Sequence, residues 1–504
     1  MASREERSLK LRVFFIPFFA TGHIIPAMDL ASLFAARRGI EATIVLTPAN
    51  AALIRPTLQH STTSGHPVEL LLFPFPSKAS GLPSGIENLA AVSSEDSSKF
   101  TKAIDFSRDA HDRLLREHHP DAVVADVHFW WITGIAADIG IPSVCFHVIG
   151  SFANVIMNQL WETKVHENVP SDSHPFIVPG LPEPKIQIVR SELPIFLRVR
   201  NHFTDNWDVY RRAQGESFGM VVNTFYELER EYCELFRGVD CKKAWFIGPL
   251  DLFSKRGDHD HVHKGKAERG GGESAAVVEN RERCMGWLER KKVGSVMFVC
   301  FGSWCYFEDE QLREMALGLE ASGMEFLWVV RTGDHGEHVK TEWMPEGWEE
   351  RVKGKGLVVR GWAPQAAILA HEAVGVFMTH CGWNSLLEGL SSGKPMLTWP
   401  LVFEQFINER LVVEVLKVGV RVWDGFRSTF EKEKVVVPAE AIERAVRKFM
   451  EGSGTEGEEM RKRAAEWAEI AGAAVAEGGS SHKDLNSLID ELFMVREKTK
   501  DESH

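Results

Sequence analysis

The stretch WAPQAAILAHEAVGVFMTHCGWNSLLEGLSSGKPMLTWPLVFEQ, residues 362–405, alternates apolar runs with polar loops, a pattern that indicates the fold class. Two of its runs, residues 375–379 and 395–399, are short and apolar and follow helix-period segments, which predicts buried strands separated by helices. Strands that alternate with helices build a parallel sheet with helices on both faces. The unusual residues lie in the loops after the strands, at the edge where open α/β sheets bind ligands.

The same alternation of predicted strands and helices occurs in both halves of the chain, so two doubly wound parallel-sheet lobes of the α/β class are predicted. Residues 1–253 are predicted to form an N-terminal lobe and residues 281–482 a C-terminal lobe. Residues 483–504 are predicted to form a helix and tail that pack back toward the N-terminal lobe. The other predicted strands are 12–17, 41–46, 68–73, 122–125, 143–147, 295–300, 325–330 and 357–360.

Residues 254–280 are predicted to be a surface linker between the lobes. They contain GDHDHVHKGKAERGGGES, which is rich in glycine, histidine and charge and has no hydrophobic period. His259, His261 and His263 could be taken for a metal site. A solvated loop is the favoured interpretation, because nothing in the segment would orient such ligands.

The composition argues against several classes of protein. A formal net charge of −13 disfavours nucleic-acid binding and a polybasic membrane patch, so small-molecule partners are expected. The seven cysteines form no CxxC pair, which argues against a disulfide framework or zinc site and favours a reducing compartment. The apolar run 13–28 is interrupted by Pro17, His23 and Pro26, so neither a signal peptide nor a membrane span is predicted. We expect a cytoplasmic monomer.

The loop after predicted strand 375–379 is a candidate anion site. It leads into a helix that we expect to begin near Asn384 and Ser385, and Gly382 permits a sharp turn before it. The free amides and positive dipole end of such a helix favour a diphosphate. The alternative is a capping box formed by Ser385 and Glu388, which needs no ligand and is favoured when those two residues are taken alone.

Three further residues of the stretch have ordinary explanations as well. Trp362 and Trp383 could be core aromatics, and Gln365 could be a surface amide. Other phosphate signatures are missing, because SSGKP at 391–395 fails the P-loop spacing and no strand-linked G-x-G-x-x-G occurs. A P-loop nucleoside triphosphatase and a dehydrogenase are therefore poor fits.

Residues 362–405 resemble the signature of the plant family 1 UDP-dependent glycosyltransferases in length and at nearly every diagnostic position. The resemblance implies a GT-B fold, with two facing Rossmann-like lobes and a cleft between them. It further implies that the acceptor binds the N-terminal lobe and the UDP-sugar the C-terminal lobe. Similar segments elsewhere are GHIIPAMDLA at 22–31, GLPSGIEN at 81–88, GMVVNTFYELE at 219–229, WFIGPL at 245–250 and CMGWLERKKVGSVMFVCFGS at 284–303.

The resemblance assigns a donor site residue by residue. Trp362 is expected to stack on uracil, with the Ala363 backbone at the base edge. Trp383 and Gln405 accompany glucose donors in the family, and Glu404 departs from its commoner Asp while keeping the carboxylate. The remaining expected contacts are Gln365 and Glu388 with the ribose, Ser303, His380, Asn384 and Ser385 with the diphosphate, and Trp383, Glu404 and Gln405 with the sugar.

The resemblance also assigns the catalytic pair. His23 lies in the ATGH turn before a helix expected to start at about Pro26, and Asp126 ends a predicted strand. Taken alone, a loop histidine is usually structural, and such an aspartate is usually a cap. By family resemblance, Asp126 orients His23, which removes the acceptor proton. The oxygen then attacks opposite the diphosphate with inversion, while the helix end stands in for a metal, so no cofactor or metal is expected.

The resemblance thus implies a hexosyltransferase, namely an inverting UDP-glucose-dependent O-glucosyltransferase that forms a β-glucoside. Its acceptor would be a flavonoid, another phenolic, or a terpenoid or steroid. Another UDP-sugar (galactose, glucuronic acid, rhamnose or xylose) is an alternative, as are a non-catalytic UDP-sugar-binding protein and a GT-B epimerase or phosphorylase. The expected acceptor pocket is aromatic and consists of Phe19, Phe129, Trp130, His147, Ile149, Leu197 and Phe403.

Overall fold

The computed structural model describes residues 10–93, 95–256, 275–303, 305–331, 342–450 and 456–502. These residues fall into two compact units. The first unit comprises the described parts of 1–151, 206–273 and 473–504, and the second comprises those of 152–205 and 274–472. Among the described residues, no helix combines the length and apolar character needed to cross a membrane.

The first unit is built on a parallel sheet of seven strands in the order β3-β2-β1-β4-β5-β8-β9. The second unit is built on a parallel sheet of six strands in the order β12-β11-β10-β13-β14-β15 and also contains the antiparallel hairpin β6-β7. The strands are β1 Leu11–Ile16, β2 Ile40–Leu46, β3 Glu69–Leu72, β4 Ala122–Asp126, β5 Ser143–His147, β6 Pro175–Ile177, β7 Gln187–Val189, β8 Gly219–Val222, β9 Ala244–Phe246, β10 Val296–Cys300, β11 Glu325–Val330, β12 Gly356–Arg360, β13 Val374–Thr379, β14 Met396–Thr398 and β15 Gly419–Arg421.

Helices connect the strands in both units. They are α1 Thr21–Ala35, α2 Pro48–Leu53, α3 Arg55–Thr63, α4 Ser77–Ser80, α5 Ser97–His118, α6 Trp131–Asp138, α7 Ser151–Thr163, α8 Ile195–Arg198, α9 His202–Glu216, α10 Arg230–Val239, α11 Leu250–Arg256, α12 Ala275–Leu288, α13 Asp309–Ser322, α14 Trp348–Arg351, α15 Gln365–Ala370, α16 Trp383–Ser391, α17 Gln405–Arg410, α18 Ala439–Met450, α19 Glu456–Val475 and α20 Ser480–Glu502.

Each central strand contributes side chains to two hydrophobic clusters, because successive side chains of a strand point to opposite faces of the sheet. In β1, Val13 and Phe15 pack in one cluster, whereas Phe14 packs in the other. In β10, Met297 and Phe298 are divided between two clusters in the same way. Both sheets are therefore covered on both faces, which confirms the predicted doubly wound α/β class.

The ten predicted strands are all present, and their ends differ from the observed ones by one residue at most. Five strands were not predicted, namely β6, β7, β8, β9 and β15. The predicted linker 254–280 is wrong at both ends, because α11 runs to Arg256 and α12 starts at Ala275. Val277, Cys284 and Leu288 are buried on one face of α12, so this segment has a packing partner. His259, His261 and His263 lie outside the described residues.

One segment of the predicted N-terminal lobe belongs to the second compact unit. Residues 152–205 belong to the second unit, where buried Arg198 donates hydrogen bonds to Ser428 at 2.9 Å and Glu433 at 2.9 Å. The C-terminal helix α20 packs in the first unit, where its Leu485 and Leu488 join the core beside β1 and β2. Each unit is thus completed by chain that is distant in sequence.

Candidate active site

The end of β4 and the start of α1 meet at one edge of the first sheet. β1 and β4 are neighbours, with Ile16 opposite Ala125, so the residues after β1 lie beside Asp126. Helix α1 starts at Thr21, and the carbonyl of Ala20 accepts the backbone N–H of His23 at 2.9 Å. The expected start at about Pro26 was wrong. His23 therefore lies in the first helical turn, where its backbone is fixed.

His23 and Asp126 form the predicted pair. His23 Nδ1 lies 2.7 Å from Asp126 Oδ2, and the Asp126 side chain is 1% exposed. Burial alone raises the pKa of the Asp126 carboxyl, but the charges and hydrogen bonds of His23 and His128 outweigh it and hold that pKa well below its usual range. An ionised Asp126 accepts the Nδ1 proton, so His23 Nε2 is the nitrogen able to take up a proton.

The sequence analysis missed His128, which bonds the other oxygen of the same carboxylate. Its Nδ1 lies 2.6 Å from Asp126 Oδ1, and its backbone N–H donates to that oxygen at 3.1 Å. An aspartate whose side chain accepts a hydrogen bond from the backbone N–H two residues later forms a recognised turn. This spacing of Asp126 and His128 was the sequence signal that could have predicted the contact. We call these three side chains the His–Asp–His cluster.

The composition of the His–Asp–His cluster would suit a transition metal. The contacts of Asp126 with His23 at 2.7 Å and with His128 at 2.6 Å are hydrogen-bond distances. Two ligands of one zinc ion, each about 2.0–2.1 Å from it, lie roughly 3.3 Å apart. The observed arrangement is therefore that of a hydrogen-bonded cluster.

The predicted acceptor-pocket residues divide between the two units. The ring centroids of Phe19 and Phe129 are 5.2 Å apart, and Phe129 also packs on Phe18. Both side chains are only 1% exposed, so they lie beneath the protein surface. His147 is buried at the end of β5, and burial lowers its pKa to about 4. Trp130 and Ile149 are partly exposed in the first unit, whereas Leu197 and Phe403 belong to the second.

Several residues expected to bind the donor lie around the start of α16 in the second unit. This helix begins at Trp383, one residue before its expected start, and its N-cap is Gly382. Ser385 is therefore the third helical residue and cannot be the N-cap of a capping box, so that alternative is wrong. Gln365 Nε2 instead donates to Ser385 Oγ at 3.0 Å and to Glu388 Oε2 at 2.9 Å. Three residues expected to hold ribose and diphosphate are thus together.

His380 is held between two glycines. A Cβ added at Gly302 or Gly382 would lie 2.7 Å or 2.4 Å from the imidazole. Burial lowers the pKa of His380 to about 4, so the ring is neutral at pH 7 and can donate one N–H. Its Nδ1 is buried without a hydrogen-bond partner among the residues that the structure describes. Cys381 beside it has a φ of 63°, a strained conformation typical of functional loops.

Gly382→Ala is expected to weaken binding of UDP about tenfold or more. The φ of Gly382 is −63°, which alanine adopts freely, so the effect comes from displacement of the His380 ring. Calorimetric titration with UDP measures it. Gly286→Ala in α12 is the matched control, because nothing lies within 4 Å of its added Cβ. Equal affinities for UDP in the two variants would contradict the placement of His380 in the donor site.

Trp362 and Ser303 lie in loops that follow strands of the second sheet. Asn280 Nδ2 donates to the carbonyls of Arg360 at 3.1 Å and Trp362 at 3.0 Å, which anchors the loop that carries partly exposed Trp362 and Ala363. Arg331 donates to the Ser303 carbonyl at 2.8 Å. β10 and β13 pair with Cys300 opposite Thr379, so Ser303 and His380 follow neighbouring strands at the same sheet edge.

The residues expected to face the sugar are tightly packed. Trp383 and Gln405 are buried, and Gln405 Oε1 accepts the backbone N–H of Leu401 at 2.9 Å. Asn408, which the sequence analysis missed, donates to Glu404 Oε1 at 3.2 Å and to the Cys381 carbonyl at 3.0 Å. Asn408 thus joins the loop before α16 to the loop before α17. No pattern in the sequence distinguishes it from other helical asparagines.

Relatives named as glucosyltransferases match nearly the whole chain. Residues 288–424 match the family model described as UDP-glucoronosyl and UDP-glucosyl transferase. The chain is 41% identical to the anthocyanin 3'-O-beta-glucosyltransferase of Gentiana triflora, with 96% of this chain and 98% of that protein covered. It is 42% identical to UDP-glucose flavonoid 3-O-glucosyltransferase 7 of Fragaria ananassa, with 98% of each covered. The solved structure of Glycyrrhiza uralensis UGT73P12 complexed with glycyrrhetinic acid 3-O-monoglucuronide is similar, with a TM-score of 0.87, 34% identity and 98% of each chain covered.

Proposed function

The chain belongs to the plant family 1 UDP-dependent glycosyltransferases, and on that premise we propose that it is an inverting UDP-glucose-dependent O-glucosyltransferase that acts on a small hydrophobic acceptor. The predicted GT-B fold and UDP-glycosyltransferase class follow from the family. The observation that carries the catalytic part of the proposal is the contact of 2.7 Å between His23 Nδ1 and buried Asp126.

The first step of the proposed reaction is removal of the acceptor proton by His23 Nε2. Asp126 holds the imidazole in the tautomer that leaves Nε2 unprotonated and stabilises the imidazolium that forms. The acceptor oxygen then forms a bond to the anomeric carbon while the bond from that carbon to the diphosphate oxygen breaks. Attack opposite the leaving group inverts the α-linked donor to a β-glucoside.

The leaving UDP gains negative charge in this step, and the start of α16 offers groups that stabilise it. The helix presents its N-terminal amides, and His380 next to it is neutral and buried. These donors are in place before the reaction, which is the arrangement that stabilises developing charge most effectively. We therefore propose that neither a metal nor another cofactor takes part. Turnover that is unchanged by EDTA is the expected result.

Glucose is proposed as the transferred sugar. Support comes from Trp383 and Gln405, which stand where glucose-using family members carry the same residues, and from two relatives named as glucosyltransferases. The family description and the glucuronide in the similar solved structure keep glucuronic acid as the competing sugar. Turnover with UDP-glucose, UDP-galactose, UDP-glucuronic acid and UDP-xylose, each with one acceptor, tests this. A higher kcat/KM with any of the other three would replace glucose in the proposal.

A flavonoid, another phenolic or a triterpenoid is proposed as the acceptor. The named relatives act on an anthocyanin and a flavonoid, and the similar solved structure contains a glycyrrhetinic acid glucuronide. Partly exposed Trp130 in the first unit offers an aromatic surface to a flat ring system. Screening these three acceptor classes with labelled UDP-glucose would identify the preferred one.

Trp362→Ala is expected to reduce UDP affinity by roughly 1–3 kcal/mol, the range for stacking of a base on an aromatic ring. Trp362 is partly exposed, and its loop is anchored through Asn280, so a platform for uracil is available. Calorimetry with UDP measures the change, and Trp362→Phe, which keeps a ring, serves as the control. An unchanged UDP affinity in folded Trp362→Ala would make Trp362 a packing residue only.

A further inference from the structure

The base His23 shares its aspartate with a second imidazole. We propose that His128 is a positioning residue that fixes the carboxylate of Asp126 in line with His23 and takes a share of its negative charge. The inference rests on the proposed function, because it concerns the same proton transfer. It adds to the His–Asp pair a third group that touches neither the donor nor the reacting oxygen in this account.

Asp126 is held from both of its oxygens. Oδ1 accepts the backbone N–H of His128 at 3.1 Å and its ring Nδ1–H at 2.6 Å, while Oδ2 accepts from His23 at 2.7 Å. The carboxylate is 1% exposed, so these bonds are made in a medium that screens them weakly. Two bonds to Oδ1 fix the carboxylate plane and thereby the direction in which Oδ2 faces His23.

Phe18 fixes the two imidazoles relative to each other. Its ring centroid lies 4.6 Å from that of His128 and 5.3 Å from that of His23, and the two imidazole centroids are 5.3 Å apart. Phe18 is itself buried. Because both rings pack on one buried aromatic side chain, His128 is held in the orientation in which its Nδ1 reaches Asp126.

Sharing the carboxylate divides its negative charge between two imidazoles. A donor on Oδ1 withdraws negative charge from Oδ2, which faces His23. Loss of that donor should therefore change both the direction and the charge of the oxygen that holds the base.

Other titratable groups near the cluster do not change charge in the relevant range. His147 and Cys145 face it from β5, and Tyr210 lies beside His128 with ring centroids 6.3 Å apart. Burial lowers the pKa of His147 to about 4 and raises that of Cys145 to about 11. Burial and nearby Asp105 raise the pKa of Tyr210 above its ordinary value. None of these three groups titrates between about pH 5 and 8.

Two substitutions separate the hydrogen bond of His128 from its packing. His128→Phe keeps a ring against Phe18 and removes the donor, whereas His128→Asn removes the ring and keeps an amide N–H near the position of Nδ1. We expect His128→Phe to lower kcat for an aliphatic alcohol roughly tenfold, below the roughly 10²–10⁴ assigned to the base itself. The loss should be smaller for an acidic phenol, which needs less help from the base. His128→Asn should lie closer to wild type in both measurements.

The measurement is kcat and kcat/KM with UDP-glucose for an aliphatic alcohol and for an acidic phenol, together with the Kd for UDP, which should not change. Wild-type kcat in His128→Phe, or equal losses for the two acceptors, would overturn the inference. It would also be overturned if His128→Asn were the more impaired variant, since that order indicates packing alone. If His128→Phe does not fold, His128→Leu removes the same donor and is judged by the same criteria. An inactive wild-type protein would instead refute the proposed function.

Discussion

His23→Ala is expected to lower turnover by about 10²–10⁴, the usual contribution of a positioned general base. The loss should be largest for an aliphatic alcohol, because its hydroxyl does not ionise near neutral pH without a base. His23 lies in the first unit and the proposed UDP contacts lie in the second, so the Kd for UDP should stay the same. Initial rates with UDP-glucose and calorimetry with UDP measure the two quantities.

The matched control for this variant is His66→Ala. His66 is an exposed histidine of the same unit that precedes β3, so its removal should leave turnover unchanged. If His23→Ala kept wild-type turnover on an aliphatic alcohol, the base would lie elsewhere. A large loss of UDP affinity in the same variant would also contradict the account, because it would place His23 in donor binding.

Asp126→Asn is expected to be the second most damaging change. An amide at this position removes the negative charge and can donate to His23 Nδ1, which favours the tautomer whose Nε2 is already protonated. We expect a loss of roughly 10²–10⁴ for an aliphatic alcohol and a smaller loss for an acidic phenol, which is already close to ionisation. Rates for the two acceptors, measured side by side, give the ratio.

The ratio of the two rates separates catalysis from folding. Equal losses for the alcohol and the phenol would indicate that Asp126 only supports the fold.

The sequence predicted the strands of both sheets well because long apolar runs with helical segments between them have few other solutions. Residues 143–147 and 325–330 were placed at their observed positions. β9 and β15 are only three residues long, and so short a run does not show a period. The hairpin β6-β7 was missed for the same reason.

Local details around the site could not be read from residue types. Pro26 suggested a helix start because proline favours the first helical position, yet it lies inside α1. Ser385 and Glu388 match the spacing of a capping box, but the helix starts two residues before Ser385, so its hydroxyl is available to Gln365. Helix ends depend on the packing of neighbouring segments, and a single sequence does not contain that information.

The catalytic pair illustrates the same limit. Family resemblance assigned His23 and Asp126, but the contact between them depends on the pairing of β1 with β4, which are separated by two other strands along the chain. His128 was missed because a histidine two residues after an aspartate is common in turns. The distance of 2.6 Å between its Nδ1 and Asp126 Oδ1 is the observation on which the proposed positioning function rests.

Incubation of the purified protein with UDP-glucose and a panel of flavonoid, simple phenolic and triterpenoid acceptors, in the presence of EDTA, tests the proposed transferase function. We expect release of UDP in equal amount to a new O-glucoside, and the large coupling constant of the anomeric proton in its NMR spectrum will identify a β linkage. An α-linked product would contradict inversion. Release of UDP without a glucoside, or no turnover with any acceptor class, would contradict the proposed transferase function.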